Sequence, residues 1–222
     1  MTYRVGISQD EISEEALKRA GFVYTIVEPR KQFIASVKKV VGKPYKRGAS
    51  VLRDAPEAFD CSALTAWAAV EAGYAIPRIT IDQFVFSQKI SKEELMPGDL
   101  VFDNSKEIIH TEGTYFSKVL NKEVKEEPIR YETLEYKPGT KVPSGVDHVG
   151  VYIGDDKIVH STVKKGGVVE ELLNMSEQFK NIVGYGRIVD NEEKRFVIEI
   201  PDDRPDLRSK EALLKEIERY AS

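Results

Sequence analysis

Ala58-Phe59-Asp60-Cys61-Ser62-Ala63-Leu64 reads as the opening of a helix. Asp60 suits an N-cap, and Ala63, Leu64, Ala66, Trp67 and Val70 follow at helical spacing up to Gly73, a natural stop. Cys61, the only cysteine in the chain, would then lie in the first turn. There the free backbone N–H groups and the positive end of the helix dipole favour a thiolate. Position alone leaves two uses for it, a nucleophile or a small buried hydrophobe.

Working outward, apolar residues recur with helical period from Lys31 to Val41, and Gly42-Lys43-Pro44-Tyr45 ends that run. A short helix is expected over Asp10 to Ala20, an extended segment over Phe22 to Val27, and another helix over Thr80 to Gln88. The turn Met96-Pro97-Gly98-Asp99 delivers the strand Leu100-Val101-Phe102. Residues 103–146 are charged and rich in Lys, Glu and Pro, and read as an insertion with short strands near Thr114–Leu120 and Ile129–Leu134. Strands follow at Val146–Ile153, Lys157–Val163, Val168-Val169, Asn181–Val189 and Arg195–Ile200. Pro205 opens a last helix to Tyr220, with Leu213, Leu214, Ile217 and Tyr220 on one stripe.

The chain has three histidines, and two of them fall on a predicted hairpin. Asp147-His148-Val149-Gly150-Val151-Tyr152-Ile153 alternates, which puts His148 on the face of Gly150 and Tyr152. His160 shares a face with Ile158 and Thr162. A three-residue loop, Gly154 to Asp156, pairs Ile153 with Lys157 and makes the two histidines diagonal neighbours, roughly 7–8 Å apart between backbones. A two-residue loop shifts the register and sends them to opposite faces. On the first pairing Cys61 is a nucleophile, His148 its general base and His160 the group that orients the base. A structural histidine pair and a zinc site built on Cys61 and the histidines are the alternatives, although the zinc site lacks the usual short ligand spacing. His110 lies in the inserted segment and is assigned no role.

The 222 residues suffice for one domain with additions, at 41% hydrophobic and 32% charged residues with a net charge of −4. That balance gives no electrostatic footprint for nucleic acid. One cysteine excludes an intramolecular disulfide. No segment is long and apolar enough to span a bilayer, and the N-terminus lacks the apolar core of a signal peptide. Read as written, the protein is expected in the cytoplasm, or outside it if a leader has been removed. Its oligomeric state is not readable.

Six phrases, in order, resemble the NlpC/P60 family of papain-like cysteine peptidases. They are Gly42-Lys43-Pro44-Tyr45-Lys46-Arg47-Gly48, Phe59-Asp60-Cys61-Ser62-Ala63-Leu64, Ile76-Pro77-Arg78, Pro97-Gly98-Asp99-Leu100-Val101-Phe102, His148-Val149-Gly150-Val151-Tyr152-Ile153-Gly154 and Ile158-Val159-His160. The resemblance implies an α+β fold with N-terminal helices and the nucleophile helix packed on a small antiparallel sheet. It places the catalytic domain at 31–190 with the insertion at 103–146. An N-terminal extension, 1–30, precedes that domain, and a C-terminal strand and helix, 191–222, decorate it. It implies hydrolysis of amide bonds in peptidoglycan stem peptides, often γ-D-glutamyl–diamino acid bonds, by Cys61, His148 and His160. It also implies substrate contacts from Tyr45, Asp60 and Ser62, and no cofactor or metal. Ala63, Ala49 and Arg47 depart from the family pattern and fall in binding loops. The insertion is expected to form a wall or lid on the cleft. The rival functions are an acyltransferase of the same fold superfamily, a secreted wall hydrolase and a silent binding module. Cysteine before histidine argues against the first.

Overall fold

The computed structural model describes residues 2–104, 114–117, 122–125, 146–189 and 193–220. The elements follow in chain order as β1 (Tyr3–Ser8), α1 (Glu14–Ala20), β2 (Tyr24–Val27), α2 (Pro29–Lys39), α3 (Cys61–Glu71) and α4 (Thr80–Phe86). Next come β3 (Gln88–Ile90), β4 (Leu100–Asp103), β5 (Thr114–Ser117) and β6 (Lys122–Lys125). Then β7 (His148–Gly154), β8 (Lys157–Thr162), β9 (Gly167–Leu172), β10 (Ile182–Arg187), β11 (Arg195–Ile200) and α5 (Lys210–Glu218) complete the chain.

A six-stranded antiparallel sheet, ordered β3-β10-β4-β7-β8-β9, carries α3 on one face. Alternation divides the residues of its central strands. Leu100, Phe102, Val149, Val151 and Val159 meet Phe59, Leu64, Trp67 and Ala68 in one core, whereas Val101 and Ile158 join Leu173 and Phe179 in another. Helix α3 is apolar almost all round because it is enclosed, with Ala63, Leu64, Ala68 and Ala69 fully buried.

The two ends of the described chain build a second, smaller assembly. β1 and β2 flank β11 in a three-stranded antiparallel sheet, and Ile7, Leu17, Phe196, Ile198, Leu213 and Ile217 form its core with α1 and α5. Both helices are capped by serine: Ser13 accepts from the Ala16 N–H, and Ser209 from the Ala212 N–H. The assembly grips the C-terminal end of α3. Arg4 pairs with Glu71, and Arg195 Nε donates to the Gly73 carbonyl at 2.9 Å, placing cations at the negative end of the helix. Gly6 makes the approach possible, since a Cβ there would sit 1.9 Å from the Gly73 oxygen.

The hairpin of β7 and β8 departs from the expected loop. Its turn is only Asp155-Asp156, both at positive φ (50° and 53°), and Gly154 pairs with Lys157. Two central residues at positive φ match a type I′ turn. By itself that turn would put the histidines on opposite faces. A β-bulge at Ile153 removes the one-residue shift, so Tyr152 pairs with Ile158 and Val151 with Val159. The register is therefore the one a three-residue loop predicts, reached by a different route. The strand expected near Thr114 is β5, paired with β6, whereas the one expected at Ile129–Leu134 lies outside the described residues, as do His110 and most of the 103–146 segment.

Candidate active site

Cys61 is the first residue of α3. Asp60 caps the helix, one carboxylate oxygen accepting from the Ala63 N–H at 2.8 Å. The other oxygen accepts from Arg78 at 2.6 Å, and Arg78 also donates to the Ser62 hydroxyl at 2.9 Å and to the Ala49 carbonyl at 3.1 Å. Asp60 and Ser62, expected to hold a substrate end, are thus both buried and both engaged by one guanidinium. Tyr45 is half-buried beside Phe59, with which it forms a parallel bridge, and its N–H donates to the Gly166 carbonyl at 2.8 Å.

The sulfur lies against the backbone on either side of His148. Pairing between β7 and β8 runs as far as Val151↔Val159. Beyond that point the start of α3 meets the strands: Ser161 donates to the Phe59 carbonyl at 2.8 Å, and the Val149 N–H is directed to Cys61 Sγ. The sulfur is 3.9 Å from the Asp147 carbonyl oxygen and 3.6 Å from the Thr80 hydroxyl. Burial pushes the thiol's pKa up, with Thr80, Val149 and Ser62 pulling it down and the Asp60 charge pushing it up. The helix start was expected to favour a thiolate. Burial in the site thus works against what the helix start favours.

His148 and His160 meet directly, His148 Nε2 lying 2.8 Å from His160 Nδ1 with the rings at 85°. Phe179 packs 5.2 Å and 5.0 Å from the two ring centres, and both histidines are buried. Burial first, and the neighbouring His160 second, hold His148 well below the ordinary histidine range, so it is neutral at pH 7. With Nε2 committed to His160, Nδ1 is the nitrogen left for Cys61.

Two groups that the sequence reading did not select also belong here. Thr80 touches the sulfur from the start of α4. Glu171, on β9, lies 3.0 Å from His160 Nε2 and accepts from the Ser176 hydroxyl. The hydrogen bond from His160 is the chief cause that lowers the Glu171 carboxyl to about 2. The signal for Glu171 was alternation. It is two residues past Val169, the pairing partner of His160, and so on the same face, but only if β9 runs as far as Leu172. Among the described residues no cluster of three or more His, Cys, Asp or Glu is arranged to hold a metal ion. No described helix is long and apolar enough to cross a membrane.

Residues 42–138 match the NlpC/P60 family model, a span that includes Cys61 and stops short of both hairpin histidines. The probable endopeptidase p60 of Listeria monocytogenes is 27% identical over 155 residues, 70% of this chain and 23% of that protein. The gamma-DL-glutamyl hydrolase of Bacillus subtilis is 28% identical over 155 residues, 70% of this chain and 29% of its own length. The chain therefore matches about a quarter of the length of these curated relatives. Among solved structures, a lipoprotein-like NLP/P60 family protein of Staphylococcus aureus aligns with a TM-score of 0.48 at 25% identity, covering 74% of this chain and 42% of that one.

Proposed function

We propose, on the premise that this chain carries a domain of the NlpC/P60 family within the papain-like cysteine peptidase superfamily, that it hydrolyses amide bonds of peptidoglycan stem peptides. The bond proposed is the one between γ-D-glutamate and a diamino acid. The distant relationship to peptidoglycan endopeptidases and to a γ-DL-glutamyl hydrolase supports the substrate class. The observation that carries the chemistry is the 2.8 Å contact of His148 with His160 beside a sulfur held at a helix start.

Both reacting groups begin neutral. His148 takes the Cys61 proton as the thiol attacks the carbonyl carbon, and the Cys61 backbone N–H, unpaired at the helix start, faces the developing oxyanion. The protonated His148 then gives its proton to the leaving amine, and the C–N bond breaks to leave a thioester on Cys61. Water, deprotonated by His148, releases the γ-glutamyl acid and restores the thiol. Tyr45 is proposed to line the cleft, and Asp60 and Ser62 to meet the substrate through the network that Arg78 holds together.

Incubation with L-Ala-γ-D-Glu-meso-diaminopimelate tests this by mass spectrometry. The expected products are the dipeptide and the free diamino acid, and Cys61→Ala should reduce their formation to background. Undiminished cleavage by that variant overturns the mechanism. Acyl transfer from a phospholipid without cleavage of the peptide overturns the substrate.

A further inference from the structure

Three side chains stand in line on one face of the sheet: the buried His148 on β7 and His160 on β8, and the half-buried Glu171 on β9. A neutral imidazole has one N–H and one lone pair, so the contact at one nitrogen dictates what the other can do. An ionised carboxylate only accepts. Its lone pairs already take the Ser176 O–H, and its Oε1 stands 3.0 Å from His160 Nε2. His160 Nε2 must then carry a proton, which leaves His160 Nδ1 as an acceptor 2.8 Å from His148 Nε2. His148 Nε2 must in turn carry a proton, and the lone pair of that ring falls on Nδ1. The reverse assignment would face a lone pair of His160 against the carboxylate oxygen, leaving a buried ring nitrogen unsatisfied and opposed by like partial charge. Phe179, packed on both rings, and the Ser176 hydroxyl on Glu171 oppose the ring flips that would relieve it.

We propose that Glu171 is a positioning residue that sets the proton on each nitrogen of the His160–His148 pair, so that the free lone pair is presented at His148 Nδ1 for the Cys61 thiol. This rests on the cysteine-peptidase reading above. Glu171 touches neither sulfur nor scissile bond; it acts two rings away, as a polarity marker for the line. Two lysine charges act on the line: Lys165 favours the ionised form of Glu171, and Lys164 works against protonation of His148.

The test reads tautomers and turnover separately. In protein labelled with 15N-histidine, long-range 15N–1H spectra should show both His148 and His160 as Nε2–H tautomers. Glu171→Ala should convert the pair to a mixture and lower kcat on L-Ala-γ-D-Glu-meso-diaminopimelate ~10- to 100-fold with KM unchanged, the scale lost when a partner orienting a histidine is removed. Glu171→Gln keeps an acceptor oxygen, and should restore the tautomers and much of kcat. Wild-type tautomers in both variants overturn the proposal, and so does an unchanged kcat in Glu171→Ala. If the Ala variant does not fold, the Gln variant decides: a mixed pair there also overturns it. If the wild-type protein leaves the peptide uncut, the peptidase reading fails, while the spectra still decide whether Glu171 sets the protons.

Discussion

Asp99 and Asp103 stand at the two ends of β4, and both are fully buried, yet the fold treats them in opposite ways. Asp99 is answered from every side. Arg187 takes both its oxygens at 2.8 and 2.7 Å, Arg30 approaches at 3.4 Å, and the Met96 N–H donates at 2.8 Å. Asp103 has one backbone N–H, from Asn181 at 2.7 Å, and its second oxygen has no hydrogen-bond partner among the described residues. Burial pushes it up to about 6, and the charge of Asp147 adds to the rise. The end of β4 far from the histidines is a rivet. The other end, opposite His148 in the β4–β7 register, keeps a carboxylate that among the described residues is only partly compensated. Electrostatic cost is tolerated beside the histidine pair and eliminated where the sheet is only held together.

The comparison breaks most readily at Asp99. Asp99→Ala strands two guanidiniums and should cost about 3–5 kcal/mol in chemical denaturation, the range for breaking a buried ion pair from one side. A loss under about 1 kcal/mol would mean the rivet is not one. Asp103→Asn should act in the other direction. A carboxyl whose folded pKa lies above its unfolded value of 3.8 contributes stability that is complete below pH 3.8 and lost as pH rises through 6. The wild type should therefore weaken between pH 4 and 7 in a way the variant does not. The variant's relative stability should rise by about 2–3 kcal/mol from pH 3.5 to pH 8. Parallel curves at the two pH values would show that Asp103 is fully compensated. The exposed pair Lys157–Glu170, at 3.0 Å on β8 and β9, sets the bottom of the scale. Lys157→Ala should cost ~0.2–1 kcal/mol and less in high salt.

These magnitudes also explain what is legible in the sequence. The α3 start is legible because its determinants are local: Asp60 caps Ala63, and the apolar run needs only the next three turns. The histidine pair is legible because alternation is a strong rule, although the turn and bulge that deliver it were not foreseen. The union of β1 with β11 is not legible, since nothing near Tyr3 specifies that it pairs with Ile200. Glu171 and Thr80 escape for the same reason. Each is unremarkable in its own segment, and only the assembled sheet and helix bring them to His160 and Cys61. The burial that pushes the Cys61 thiol up is likewise a property of the packed site, which the helix position alone does not contain.

The bulge at Ile153 turns the hairpin into a parity device. Ile153 is the residue the ladder skips: drawn into the strand, with the two-residue turn kept, it would carry His160 to the face of α3, away from His148. Deleted outright, it leaves Tyr152 opposite Ile158 and Val151 opposite Val159, and the two histidines keep their shared face. The hairpin can therefore lose its extra residue but cannot absorb it.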